Sequence, residues 1–205
     1  MQKASTLVGV LRAFDPRRPL SADEMEFYID RPSNPSRRMA TYLREVALAG
    51  NQPVKLLFTG HGGSGKSTEL NRLAKELKDK FFIVRLDVQT SLSVPDLHYV
   101  DILLGLAASL FNRATEEDVL AKAPPQIAKE LWEDVAVFFE RTIFGPTRLP
   151  QPPLNAELTG KVHFWALEFG ATFSTDADTR AKIRQHMEGR VAELVDRINL
   201  VAQQV

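Results

Sequence analysis

Apolar positions along this chain follow two rhythms, and the change between them marks out its elements. Over residues 34–48 they recur every three to four positions (Met39, Leu43, Val46, Ala47), which predicts an amphipathic helix with that stripe inward. Asn34-Pro35 supplies an N-cap followed by proline at the first helical position, and Gly50 a stop. Helical spacing returns over 67–77 (Leu70, Leu73, Ala74, Leu77) and over 94–113 (Leu97, Val100, Leu103, Leu104, Ala107, Leu110, Phe111). It appears again over 124–143 (Ile127, Leu131, Trp132, Val135, Phe138, Phe139). Residues 176–204 read as one long helix with Ile183, Met187, Val191, Leu194, Val195, Ile198 and Val201 in one stripe.

Between these lie short apolar runs without a helical period. Residues 54–59 (VKLLFT) and 81–87 (FFIVRLD) read as buried strands, and 161–173, apolar at nearly every second position, as an extended segment. Strand, helix and strand with a crossover of this length predict a parallel α/β sheet. Residues 145–153 hold four prolines and read as an irregular, mobile connector. Upstream, Ser21 and Glu24 form a capping-box pair for a short helical turn. Residues 26–32 read as a strand or turn packing Phe27 and Ile29 against the core. The expected organisation is an N-terminal segment at 1–50, an αβ core at 51–115, and a helical insertion, extended segment and long helix at 116–205.

At the junction of the first strand and its helix stand Gly60-His61-Gly62-Gly63-Ser64-Gly65-Lys66-Ser67-Thr68, whose first eight residues fit G-x-x-x-x-G-K-[ST] without a gap. Glycines let a loop turn through positive φ and let its amides approach a phosphate closely. A helix starting near Gly65 adds unpaired amides and the positive end of its dipole. Lys66 supplies a point charge for the β- and γ-phosphates, and Ser67 a hydroxyl where Mg²⁺ would sit. The bare pattern arises by chance in roughly 1% of chains this long at average glycine usage, so the motif outweighs every other signal in the sequence.

Composition narrows the setting. The 205 residues carry 26 basic and 26 acidic side chains, a balance that calls for neither nucleic acid nor an anionic membrane as partner. There is no cysteine, hence no disulfide or thiol chemistry. The longest apolar run, 102–111, is too short to span a bilayer, and Arg12 interrupts the apolar N-terminal stretch before a signal core could form. These features predict a cytoplasmic protein. The four histidines (His61, His98, His163, His186) have no metal-ligand spacing.

The run from Gly60 to Leu73 (GHGGSGKSTELNRL), with Phe27-Tyr28-Ile29-Asp30-Arg31 upstream, resembles the P-loop ATPases of the AAA-like and signal-transducing (STAND) groups, over about residues 20–115. The resemblance implies a P-loop NTPase fold, a parallel sheet flanked by helices, with a helical insertion. It implies ATP or ADP and Mg²⁺ as cofactors, bound by residues 60–68, with Lys66 catalytic and Ser67 the metal ligand. It also implies that Tyr28, Ile29, Asp30 and Arg31 lie near the adenine. The function implied is an ATP-binding domain whose nucleotide acts as a switch, closing the domain and changing its self-association or its contacts with an effector domain.

These families carry a second acidic motif that holds the metal's water shell and activates the attacking water. Asp87 ends an apolar run and Glu168 follows one, but Asp87 fits a strand-end turn better and Glu168 the outward position of a strand. The resemblance therefore places the acid beyond Val205, leaving the sheet incomplete and the chain the N-terminal part of a longer ATPase. Two other readings use the same loop. One is a small-molecule kinase with Arg141, Arg148 and the 145–155 connector as lid; the other is a nucleotide-binding scaffold that never hydrolyses.

Overall fold

The structure, a computed structural model, describes residues 6–13, 15, 18–49, 53–117, 119, 133–134, 137–138 and 177–204. The chain divides into two units, Met1–Ile83 and Val84–Val205.

In the first unit, α1 (Leu7–Ala13) precedes a 3-10 turn at Ala22–Phe27, and α2 (Pro35–Ala49) and α3 (Lys66–Leu77) pack on each other. The 3-10 turn lies against α3. It starts where the Ser21 amide donates to the Glu24 carboxylate at 3.1 Å. That amide, and then Arg18, hold the Glu24 carboxyl below the ordinary carboxylate range. Helix α2 begins as expected, with Asn34 in the left-handed region (φ 31°), its side-chain oxygen accepting from the Arg37 amide at 3.3 Å, and Pro35 at the first position.

In the second unit, α4 (Val88–Ser91) and a 3-10 turn at Val94–Asp96 lead into α5 (Tyr99–Glu116), against which α6 (Ala177–Met187) and α7 (Val191–Ala202) pack. Val100, Leu104, Ala107, Phe111 and Ala114, spaced alternately four and three apart on α5, are fully buried. Ile183 and Met187 of α6 and Leu194 and Val201 of α7 complete this core. A Cβ on Gly105 would lie 3.1 Å from the Leu86 side chain, which would have to shift by a few tenths of an ångström to admit it. Arg184 ties α6 to the start of α5, donating to Asp101 from Nε (2.9 Å) and Nη2 (2.5 Å) and to Asp96 from Nη1 (2.8 Å). The bonds to Asp101 raise Arg184 further above the ordinary guanidinium range.

Among the described residues there is no strand and no sheet, which overturns the expected parallel α/β fold. Residues 54–59 and 82–87 have no regular secondary structure. A strand exists only through a hydrogen-bonded neighbour, and 54–59 finds none among the described residues. Leu57 is accordingly 90% exposed, the reverse of a buried strand. Short apolar runs signal burial without specifying a ladder.

Three further expectations change. The long C-terminal helix is two helices, broken at 188–190, where the Arg190 amide turns back onto the Met187 carbonyl. Helix α5 begins at Tyr99 because Val94–Asp96 forms a separate turn around Pro95. Helix α3 buries Leu77 but also Glu69 and Asn71, and it leaves Leu70 exposed. With no sheet to cover the Leu70 face, α3 turns a polar face to the segment before α2. The helix expected at 124–143, apart from 133–134 and 137–138, lies outside the described residues, as do the connector at 145–153 and the extended segment at 161–173.

Candidate phosphate-binding loop

The loop 60–65 ends in the first turn of α3. The Ser64 amide donates to the His61 carbonyl at 3.2 Å, closing a turn over 61–64. Gly63 (φ 74°) and Gly65 (φ 84°) are both left-handed, a conformation that side-chain-bearing residues adopt at a cost of about 1–2 kcal/mol. Gly65 is the N-cap of α3 and has no side chain to cap it. The first-turn amides of Lys66, Ser67 and Thr68 therefore have neither an intrahelical partner nor an N-cap side chain. They point, with the helix dipole, to where an anion would bind.

Lys66 folds back over the loop, its Nζ donating to the carbonyls of Gly60 and His61, both at 2.7 Å. Ser67 is exposed on the first turn, and Thr68 accepts from the Leu20 amide at 3.2 Å through its hydroxyl. His61 and Gly62 are exposed. The loop, its lysine and its hydroxyl are thus together.

Of the four upstream residues, Arg31 meets the loop, and Tyr28 and Asp30 meet α3 beyond it. Arg31 donates from Nη1 to the Ser64 carbonyl at 2.9 Å. Tyr28 donates its hydroxyl to the Glu69 carboxylate, and the Arg72 guanidinium lies over the Tyr28 ring, 4.4 Å from its centroid. Asp30 accepts from Arg72 at 2.5 Å and from the Asn34 side chain at 3.2 Å. Ile29 stands apart, 86% exposed, and Phe27 is exposed too, so neither packs into the core. Within 26–32 only Tyr28 is partly buried, so the expected inward packing of Phe27 and Ile29 is not found. Glu69 and Arg72, which organise this segment, were not singled out by the motif. Their only signal is that they lie three apart on one face of the helix that the motif starts.

Burial, and after it the Glu69 carboxylate, push the Tyr28 phenol above its ordinary value. A raised pKa of this kind contributes stability that is complete below about pH 10, the unfolded value, and is lost as pH rises through the folded one. An absorbance titration at 295 nm should therefore show one phenol ionising late, and Tyr28→Phe should remove that late component. Loss of an ordinary, early component instead would show that the Tyr28–Glu69 contact is not maintained.

Asp87 caps α4, accepting from the amides of Gln89 at 3.0 Å and Thr90 at 3.3 Å. Glu168 and His163 lie outside the described residues. Among the described residues no cluster of three or more His, Asp or Glu side chains could hold a metal.

No protein-family model, curated protein or solved structure matches the chain. The resemblance to the AAA-like and STAND P-loop ATPases is therefore corrected: it stops at the motif. A helical arrangement without strands among the described residues does not fit that family, whose loop is held between a sheet strand and a helix. The expectation of an incomplete sheet awaiting an acidic strand falls with it. No described helix is long and apolar enough to cross a membrane.

Proposed function

We propose that residues 60–68 bind the phosphate chain of ATP or ADP together with Mg²⁺, and that occupancy acts as a conformational switch on the first unit. The observation that carries this is the uncapped N-terminus of α3 behind two left-handed glycines, with Lys66 at the mouth of the loop. The residues present fit the group. The glycines and first-turn amides suit phosphate oxygens, Lys66 is tied only to carbonyls it can exchange for them, and Ser67 offers the single hydroxyl that Mg²⁺ takes beside phosphates. Bound Mg²⁺ would neutralise charge on the phosphates.

The switch follows from what binding would undo. If Lys66 exchanges the carbonyls of Gly60 and His61 for phosphate oxygens, the loop is freed to rearrange. Self-association or an effector contact would read that change, in the cytoplasm, where Mg-ATP is supplied. Hydrolysis would require an acid positioned on water in addition to these residues. Turnover measured with and without candidate acceptors separates a hydrolase from a kinase and from a module that only binds.

Lys66→Ala is the test of the binding site. A charge-assisted contact contributes about 1.5–3 kcal/mol, so calorimetry of Mg-ATP binding should show affinity falling by about tenfold or more. Equal affinities for the two proteins would remove Lys66 from the site.

A further inference from the structure

Arg31 was expected near the adenine, yet the structure holds it at the end of the loop where α3 begins. Its Nη1 donates to the Ser64 carbonyl at 2.9 Å. Its Nη2 packs so closely on the next residue that a Cβ on Gly65 would come within 2.6 Å of it. The guanidinium therefore lies against the N-cap of α3, where the first-turn amides open. Gly65 is needed here for its positive φ, while the flexible tip of Arg31 is what an added Cβ would displace.

The position of Arg31 has an identifiable cause. Glu69, one turn into α3, is only 2% exposed, and its Oε1 lies 4.0 Å from Arg31 Nε. Tyr28 fixes the same oxygen from the other side, while Oε2 has no hydrogen-bond partner. A buried carboxylate attracts a nearby cation, and Arg31 is within ion-pair distance of it. The Arg31 side chain remains half exposed, and of its five donors the structure places one, on Nη1, against the Ser64 carbonyl. A planar cation that cannot lose its proton, with donors beside an anion-binding helix terminus, is suited to phosphate oxygens.

We propose that Arg31 is a ligand of the phosphate chain rather than of the base, and that Glu69 is the positioning residue that holds it at the loop. This rests on the loop's being the phosphate site. On binding, Arg31 exchanges the Ser64 carbonyl for phosphate oxygens while Glu69 keeps it over Gly65. Lys66 and Arg31 then approach the anion as two separate cations.

Magnesium tripolyphosphate has the phosphates without the base, so it and Mg-ATP, each titrated by calorimetry into the full chain, distinguish the two roles. Arg31→Ala should weaken both ligands by the same factor, about tenfold or more. Arg31→Lys, which keeps the charge and the bulk, should weaken both equally but less, and it serves if the alanine variant does not fold. A loss confined to ATP, or no loss for either ligand, would overturn the proposal. If the wild-type chain binds neither ligand, the phosphate site itself is wrong, which is a different failure. For Glu69, the effect of Glu69→Gln on tripolyphosphate affinity should differ between the Arg31 and Arg31→Ala backgrounds, because it acts through Arg31. Equal effects in both would refute the positioning role.

Discussion

Phe111→Ala is expected to destabilise the second unit by about 3–5 kcal/mol, the usual range for removing a buried aromatic ring from a packed core. Phe111 is the largest fully buried side chain on the stripe of α5 that meets α6 and α7. Its neighbours on that stripe, Ala107 and Ala114, are small, so they cannot expand to fill the space it would leave. Urea unfolding followed by circular dichroism measures the loss. Leu106→Ala, on the exposed side of the same helix, is the control and should cost well under half as much. Equal losses at the two positions would show that the stripe is not the core.

That core was the most legible part of the sequence. Of the seven residues read as inward from spacing alone, Val100, Leu104, Ala107, Leu110 and Phe111 are buried, Leu103 is half-buried, and Leu97, before the helix starts, is exposed. Helical period is a local property repeated over several turns, so one sequence states it redundantly. Where the reading failed, the missing information was not local. Residues 54–59 and 81–87 are apolar enough for strands, but a ladder needs a second segment in register, and nothing in six or seven residues specifies one. The break at 188–190 interrupts a stripe that continues on both sides of it, Met187 before and Leu194 after, so periodicity passes over it.

The candidate site divides in the same way. The loop was legible because its chemistry is contiguous: glycines, lysine and hydroxyl are neighbours in sequence. The polar network that holds the upstream segment was not. Tyr28 meets Glu69 across 41 positions, and Arg72 meets Asp30 across 42. The sequence marks the upstream residues only through a resemblance, and that resemblance assigned them to a base. The geometry instead turns Tyr28 and Asp30 toward α3 and Arg31 toward the loop, because α3 buries Glu69 rather than Leu70.

The other large effect is expected at Arg184. Arg184→Met should cost the second unit about 3 kcal/mol, the lower end of the range for removing one partner of a buried ion pair. Asp101 is only 2% exposed and takes two of its hydrogen bonds from Arg184; without them a carboxylate stays buried with the His98 amide as its remaining donor. Arg184 also joins residues 83 positions apart, so it holds α6 to α5 across a long connection whose closure entropy must be offset by such contacts. If the loss comes from the stranded charge, removing the charge should recover part of it. Asp101→Asn keeps an oxygen that can accept from the His98 amide, and the double variant Asp101→Asn/Arg184→Met should therefore be more stable than Arg184→Met alone. Urea unfolding of the two proteins decides it. A double variant less stable than the single one would mean that Asp101 is needed for its own hydrogen bonds to α5 and that its pairing with Arg184 contributes little.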